Sequence, residues 1–422
     1  MDDLSHLKRL SAVRTNAGVK FLTPAAFPGN HCPMHTALAL SSNIRGMSTL
    51  VIGTSECGGY SCNVIARAKE FGDALHWMYV LDANEVVFGC RSGVAEAVRK
   101  MDRAGAKSIM LIWTCVPEVI GEDPEGLLHE LQPQVGARLC FVQMGHFKCN
   151  SYPSGYWKTL RAFADLMEPQ AQRPDTINIL GRSPEEEHVP LPELLTLLQK
   201  RGYNLRMLAP KSGIEDFVAA PDAVLSLVLS PYMNPLAEEM LTRFHVPYIS
   251  LHEAYSVQAV DGLYAAVGSA LGISPADEFS QTRRSAETLE RRVSDMLFGT
   301  RYLTTHRNAL APLPLALYLA ELGMEPLLLH MEEFYPDDKK WAAALLQKGQ
   351  NPLLCHMVNE KADAPVLERL GAQLSFGEIP ESSGKIPCVS YLYELYGQIG
   401  YERTALLLTR MLAAFEPTTG GA

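Results

Sequence analysis

Apolar residues in this chain come as short continuous runs separated by helical-length amphipathic stretches. Residues 48–53 and 108–113 (SIMLIW) are β-branched, unbroken by polar alternation and short, as strands buried on both faces of a parallel sheet are. Further strands are predicted at 79–82 and 138–144, with helices near 61–70, 91–104, 124–133 and 154–167. A polar break at Gln170–Asp175 precedes a second cycle: strand 177–181, helix 190–201, strand 204–209, helix 213–219, strand 223–229, helix 234–244, strand 247–251 and helix 256–271. After a charged helix at 283–297, a third cycle places strands at 301–305, 326–330, 352–356 and 373–376. A long helix near 391–415 closes it. Strands alternating with helices of 10–15 residues imply βαβ units. The expected fold is therefore α/β, with three successive Rossmann-like, doubly wound parallel-sheet domains: 1–172 with an N-terminal arm, 173–282, and 283–422. The first 28 residues, polar and then Pro-rich, read as an arm wrapping another surface rather than as core.

Composition narrows the function classes. A 422-residue chain with 47% hydrophobic residues can bury a large core. Its net charge of −10 and lack of a basic stripe exclude nucleic acid as the expected partner. The acidic start Met1-Asp2-Asp3-Leu4 has no apolar run behind it, and the most apolar long window, 310–331, carries Glu321 and Glu325. Neither a signal peptide nor a membrane span is expected. Nine cysteines, an odd number spread over a long chain, point to the reducing cytoplasm. The chain has neither G-x-G-x-x-G nor a Walker-type loop, so no dinucleotide or ATP site is expected.

Three of the cysteines share one setting. Cys57 and Cys115 fall just past the carboxyl ends of two predicted strands, where open α/β sheets place ligands. Cys32 stands 25 positions before Cys57, between a Pro-rich loop and a predicted helix. Thiols gathered on one sheet edge in a reducing compartment suggest iron–sulfur or zinc ligation more than disulfides. Gly58-Gly59 would let backbone N–H groups approach the sulfurs. Cys140, Cys355 and Cys388, in or beside apolar stretches, read as small buried hydrophobes, and Cys62 and Cys90 read as packing. His31 and His35 form an i, i+4 pair without further ligands at zinc-finger spacing. No cysteine has an evident histidine partner for nucleophilic catalysis. Three thiolates leave a 4Fe–4S cluster one ligand short, so the remaining ligation comes from elsewhere on the chain or from a second chain. A second chain of the same fold would bring its own trio, which favours an obligate dimer.

The segments Cys32-Pro33-Met34-His35, Val51-Ile52-Gly53-Thr54-Ser55-Glu56-Cys57 and Trp113-Thr114-Cys115-Val116-Pro117-Glu118-Val119-Ile120-Gly121-Glu122-Asp123 resemble nitrogenase component 1 and its relatives. So does the turn and helix that starts at Phe88-Gly89-Cys90. The resemblance implies that Cys32, Cys57 and Cys115 ligate an iron–sulfur cluster, 8Fe–7S of the P-cluster type or 4Fe–4S. That cluster would be shared with a homologous α-type subunit, and the 25- and 58-residue spacings match the β-type more closely than the α-type. It implies a further cluster ligand near Ser151, with Cys149 two residues away as the rival. Residues 224–230 offer serine where α-type subunits hold their cofactor by cysteine, and His356 is the last histidine. The resemblance thus implies a relay subunit with no active-site cofactor of its own and no catalytic residues. It would belong to an α2β2 assembly served by a homodimeric, ATP-binding iron protein. A length of 422 residues without a long N-terminal extension resembles nitrogenase-like reductases, methylthio-alkane reductase in particular. Dark-operative tetrapyrrole reductases and cofactor-assembly scaffolds remain the alternatives.

Overall fold

The computed structural model describes residues 7–14, 32–59, 74–145, 152–182, 189–209, 211–275, 278–308, 310–331, 337–355, 369–379, 386–390 and 398–416, with 334, 367 and 395 between them. Among the described residues the strands fall into three sheets. After a two-residue strand β1 (Lys8–Arg9), the first sheet comprises β2 (Met47–Gly53), β3 (His76–Val80), β4 (Ser108–Trp113) and β5 (Arg138–Gln143), in the order β3-β2-β4-β5. The second comprises β6 (Arg173–Leu180), β7 (Asn204–Leu208), β8 (Ala223–Val228) and β9 (Tyr248–Ser250), in the order β7-β6-β8-β9. The third adds β10 (Arg301–Thr304), β11 (Glu325–His330), β12 (Leu353–Cys355), β13 (Leu374–Phe376) and β14 (Cys388–Val389), in the order β1-β12-β11-β10-β13-β14. Among the described residues every strand pairing is parallel except that of β1 with β12. The expected α/β fold with three Rossmann-like sheets is what the chain forms.

Strands β2 and β4 are buried along their whole length because helices cover both faces of the first sheet. Met47, Val51, Met110 and Ile112 pack with the helix Pro33–Ser42 on one face. Leu50, Ile52, Ile109, Leu111 and Trp113 pack with the helices Arg91–Arg103 and Pro124–Leu131 on the other. The period of two along each strand sends alternate side chains to these two cores.

In each sheet the chain leaves a central strand one way and returns on its other side. The reversals fall between β2 and β4, β6 and β8, and β10 and β13. All three carry the same packing feature: a glycine at the end of one strand lies against a hydroxyl residue at the end of the other. The pairs are Gly53 with Thr114, Gly181 with Ser230, and Gly377 with Thr305.

The chain forms two compact units, one of Asn30–His188 with Gln199–Ser250, the other of Met1–Gly29, Val189–Leu198 and Leu251–Ala422. The described part of the N-terminal arm does enter a core, contrary to expectation. Leu10 and Val13 are buried against the third sheet, to which Lys8 and Arg9 add an antiparallel edge. The apolar pair at 10 and 13 has the spacing of one helical turn, and a 3-10 turn at Leu10–Ala12 presents it. The second strand lies at 76–80 rather than 79–82, because Asp82 ends it: its carboxylate accepts from the Glu85 N–H at 2.9 Å and caps a helix, Ala83–Phe88. The last helix runs over Gly400–Ala413 rather than from 391; Gly400, with φ +74°, makes the turn into it. The helix expected at 61–70 lies outside the described residues.

Candidate metal centre

All three cysteines stand at the carboxyl edge of the first sheet or at the helix beside it. β2 ends at Gly53, and residues 55–59 are helical, carrying Cys57. The Cys57 N–H donates to the Thr54 carbonyl at 3.0 Å, and its sulfur lies 3.8 Å from the Thr54 hydroxyl. β4 ends at Trp113, and Cys115 opens the short helix Cys115–Val119 one residue later. Cys32 immediately precedes the helix Pro33–Ser42, whose residues pack on the β2–β4 face. Cys32 and Cys57 rest against that same apolar core, and all three thiols are half-buried.

The thiols feel one another. Burial raises the Cys32 pKa, negative charge on Cys115 and Cys57 raises it further, and the N–H groups of Met34 and His35 oppose both. Three thiols gathered at one edge are the donor type that soft metals take. Among the described residues no three His, Cys, Asp or Glu side chains stand at the spacing for one metal ion. A multi-iron cluster spans a wider ligand set than a single ion does.

The surrounding packing fixes this edge. The Thr114 N–H and hydroxyl both donate to the Ile52 carbonyl, at 3.1 and 2.7 Å, tying the start of the Cys115 segment to β2. Glu118, one turn after Cys115, accepts from the Gly145 N–H at 2.7 Å and so ties the same helix to the end of β5. Glu122 accepts from the Cys90 N–H and brings the Phe88-Gly89-Cys90 turn against the 119–123 segment. Phe88 is 86% exposed and Val119 66%, and Val86 and Val87 are exposed with them. The outer rim of the edge is thus apolar and uncovered in this chain. Sequence reasoning missed this rim, although Asp82 with Glu85 is a legible helix start.

Of the remaining cysteines, Cys388 departs from the expected burial. Cys90, Cys140 and Cys355 are buried and Cys388 is half-buried. Desolvation holds the Cys140 thiol well above its ordinary pKa, so it is inert at neutral pH. Ser151, Cys149, Cys62 and His31 lie outside the described residues. In the second sheet Ser226 is fully buried within β8 and Ser230 follows the strand. No described helix is long and apolar enough to cross a membrane.

A family model described as nitrogenase component 1 type oxidoreductase matches residues 32–416. The nitrogenase iron-molybdenum cofactor biosynthesis protein NifE of Methanococcus maripaludis is 24% identical over 237 residues, 53% of this chain and 48% of that protein. One subunit of the light-independent protochlorophyllide reductase of Picosynechococcus sp. is 25% identical over 189 residues, 41% of this chain and 37% of that one. The chain thus spans half or less of the length of these two relatives. The nitrogenase molybdenum-iron protein beta chain of Methanothermobacter thermautotrophicus is 23% identical over 362 residues, covering 76% of this chain and 78% of that one. A solved structure of nitrogenase Cp1 at pH 6.5 superposes with a TM-score of 0.70 at 18% identity, covering 94% of each chain; the shared property is the fold.

Proposed function

The chain belongs to the nitrogenase component 1 type oxidoreductase family, and from that premise we propose that it is the β-type, electron-relay subunit of a nitrogenase-like reductase. The observation that carries this reading is the placement of Cys32, Cys57 and Cys115 on one sheet edge, close enough for their charges to interact. We assign these three as ligands of an iron–sulfur cluster shared with a homologous α-type subunit, in an α2β2 assembly. Ser151 is the candidate for a further ligand. Bound there, such a cluster supplies reversible one-electron storage. The protein's own part is to hold the thiolates, to stabilise the Cys32 charge through the Met34 and His35 N–H groups, and to keep water from the sulfurs through the apolar core beneath. The exposed rim of Val86, Val87, Phe88 and Val119 is where we place the homodimeric, ATP-dependent iron protein. Electrons would then enter at this edge and leave to a catalytic cofactor on the partner. Methylthio-alkanes, reduced at a C–S bond, are the substrate class we favour from the sequence resemblance.

Similarity to NifE supports a second reading, a cofactor-assembly scaffold, and similarity to the protochlorophyllide reductase supports a tetrapyrrole reductase. One experiment separates them. The complex is purified anaerobically with its partner, its iron is measured, and it is assayed with iron protein, ATP and reductant. Multiple turnover of a methylthio-alkane with release of a thiol supports the relay reading. Transfer of a preformed cofactor to an acceptor protein without turnover would identify a scaffold, and reduction of a tetrapyrrole the third class.

A further inference from the structure

We infer that Gly53 and Thr114 are positioning residues that set the separation of Cys57 from Cys115, an inference that rests on the relay reading above. Gly53 is the last residue of a fully buried strand. Glycine weakens a strand interior through backbone entropy and absent packing, so its presence there needs a cause. Backbone conformation is not the cause. Gly181 and Gly377, at the equivalent reversals of the other two sheets, have φ of +102° and +84°, which only glycine adopts freely, whereas Gly53 is not among the residues with positive φ. The cause is space. A β-carbon on Gly53 would overlap the Thr114 hydroxyl and stand 3.0 Å from Cys57 Sγ and 3.2 Å from Thr114 Cγ2. The thiol of Cys57 and the side chain of Thr114 therefore share the one gap that the missing β-carbon leaves.

Neither neighbour can yield freely. Thr114 is β-branched, 2% exposed and pinned by its hydroxyl to the Ile52 carbonyl at 2.7 Å. The Cys57 sulfur can move only by rotating about its own Cα–Cβ bond, which takes it away from its present position. Thr114 is also the residue before Cys115, so the same contact fixes where the second thiol begins. Both thiols are thus referenced to a single backbone point, the end of β2. Ser230 and Thr305 occupy the corresponding places in the other sheets, where the three atoms nearest the added β-carbon belong to Ser230 in one and to Thr305, Arg307 and Asn308 in the other. In the first sheet a thiol is among the three nearest atoms.

The test compares parent, Gly53→Ala, Gly53→Ala/Thr114→Ala and Thr114→Val, each purified anaerobically with the partner subunit, with Gly262→Ala as control. Gly262 lies in a helix of the third-sheet unit with open space around it. Readouts are iron per complex, the electron paramagnetic resonance spectrum and the midpoint potential of the cluster, with circular dichroism for folding. Gly53→Ala should lose at least twofold in iron or show a shifted spectrum and potential, and the double variant should recover toward the parent. Thr114→Val keeps the side-chain shape and loses only the hydroxyl bond, so it should fold and shift the potential with iron retained. Parent-like iron, spectrum and potential in Gly53→Ala would overturn the inference. If Gly53→Ala fails to fold, Thr114→Val decides: an unshifted potential overturns the inference and a shifted one supports it. A parent complex without iron would instead overturn the relay reading itself.

Discussion

The backbone N–H of Cys90 donates to the side-chain carboxylate of Glu122, joining the turn after one helix to the segment that follows Cys115. Through this bond two exposed apolar groups, Phe88 and Val119, are held on neighbouring segments at the outer edge of the first sheet. The thiol of Cys90 is pushed up to about 12 by burial and by the Glu122 charge, so it stays protonated and structural.

Phe88→Ala should leave folding intact, because the ring is 86% exposed, yet weaken coupling to the electron donor. An exposed aromatic anchor at the centre of an interface typically contributes about 2 kcal/mol or more, roughly thirtyfold in affinity. Turnover measured against iron-protein concentration should show a raised half-saturation with unchanged iron content. An unchanged titration would remove this rim as the docking face.

Asp222→Ala should be among the most destabilising single changes in the Asn30–Ser250 part of the chain. Arg206 donates to both carboxylate oxygens of Asp222 at 2.6 and 3.0 Å, and both side chains are almost fully buried. Removing one member strands the other charge, at a cost of about 3–5 kcal/mol. Urea denaturation of the variant, followed by circular dichroism, would show the loss as a lowered midpoint.

How much of this was legible in the sequence depends on range. The buried strands 48–53 and 108–113 announced themselves as unbroken apolar runs, and the cysteines just beyond them followed from where parallel sheets bind ligands. Leu10 and Val13 gave no such signal, because their burial depends on β12, more than 300 positions away in sequence. The Gly53–Thr114 contact was equally invisible: nothing local distinguishes a glycine needed for space from one needed for a turn. Glu402 and Glu193 lie 209 positions apart and meet only in the fold.

That last pair makes stability depend on pH. Burial, with the Glu193 charge adding to it, raises the Glu402 carboxyl to about 7, while one of its oxygens accepts the Glu193 N–H at 2.6 Å. A folded-state value above the unfolded one means that the native state binds more protons between about 4.5 and 7. Stability from this group is therefore full below 4.5 and is lost as pH rises through 7. His252 works in the opposite sense, since burial lowers it to about 3, so the parent's net profile mixes both. The informative quantity is the difference between Glu402→Gln and the parent. The variant should gain stability relative to the parent as pH rises from about 5 to about 8, measured as denaturation midpoints. A pH-independent difference would show that Glu402 titrates normally.

The central claim is that Cys32, Cys57 and Cys115 hold a redox cluster and that Ser230, beyond the second sheet's β8, does not take part. Iron per complex, measured after anaerobic purification with the partner subunit, tests it most directly when parent, Cys57→Ala and Ser230→Ala are compared. The parent should carry several irons per subunit pair, Cys57→Ala should lose most of the iron of the shared cluster together with electron delivery, and Ser230→Ala should match the parent in both. Full iron in Cys57→Ala, or lost activity with full iron in Ser230→Ala, would contradict the claim.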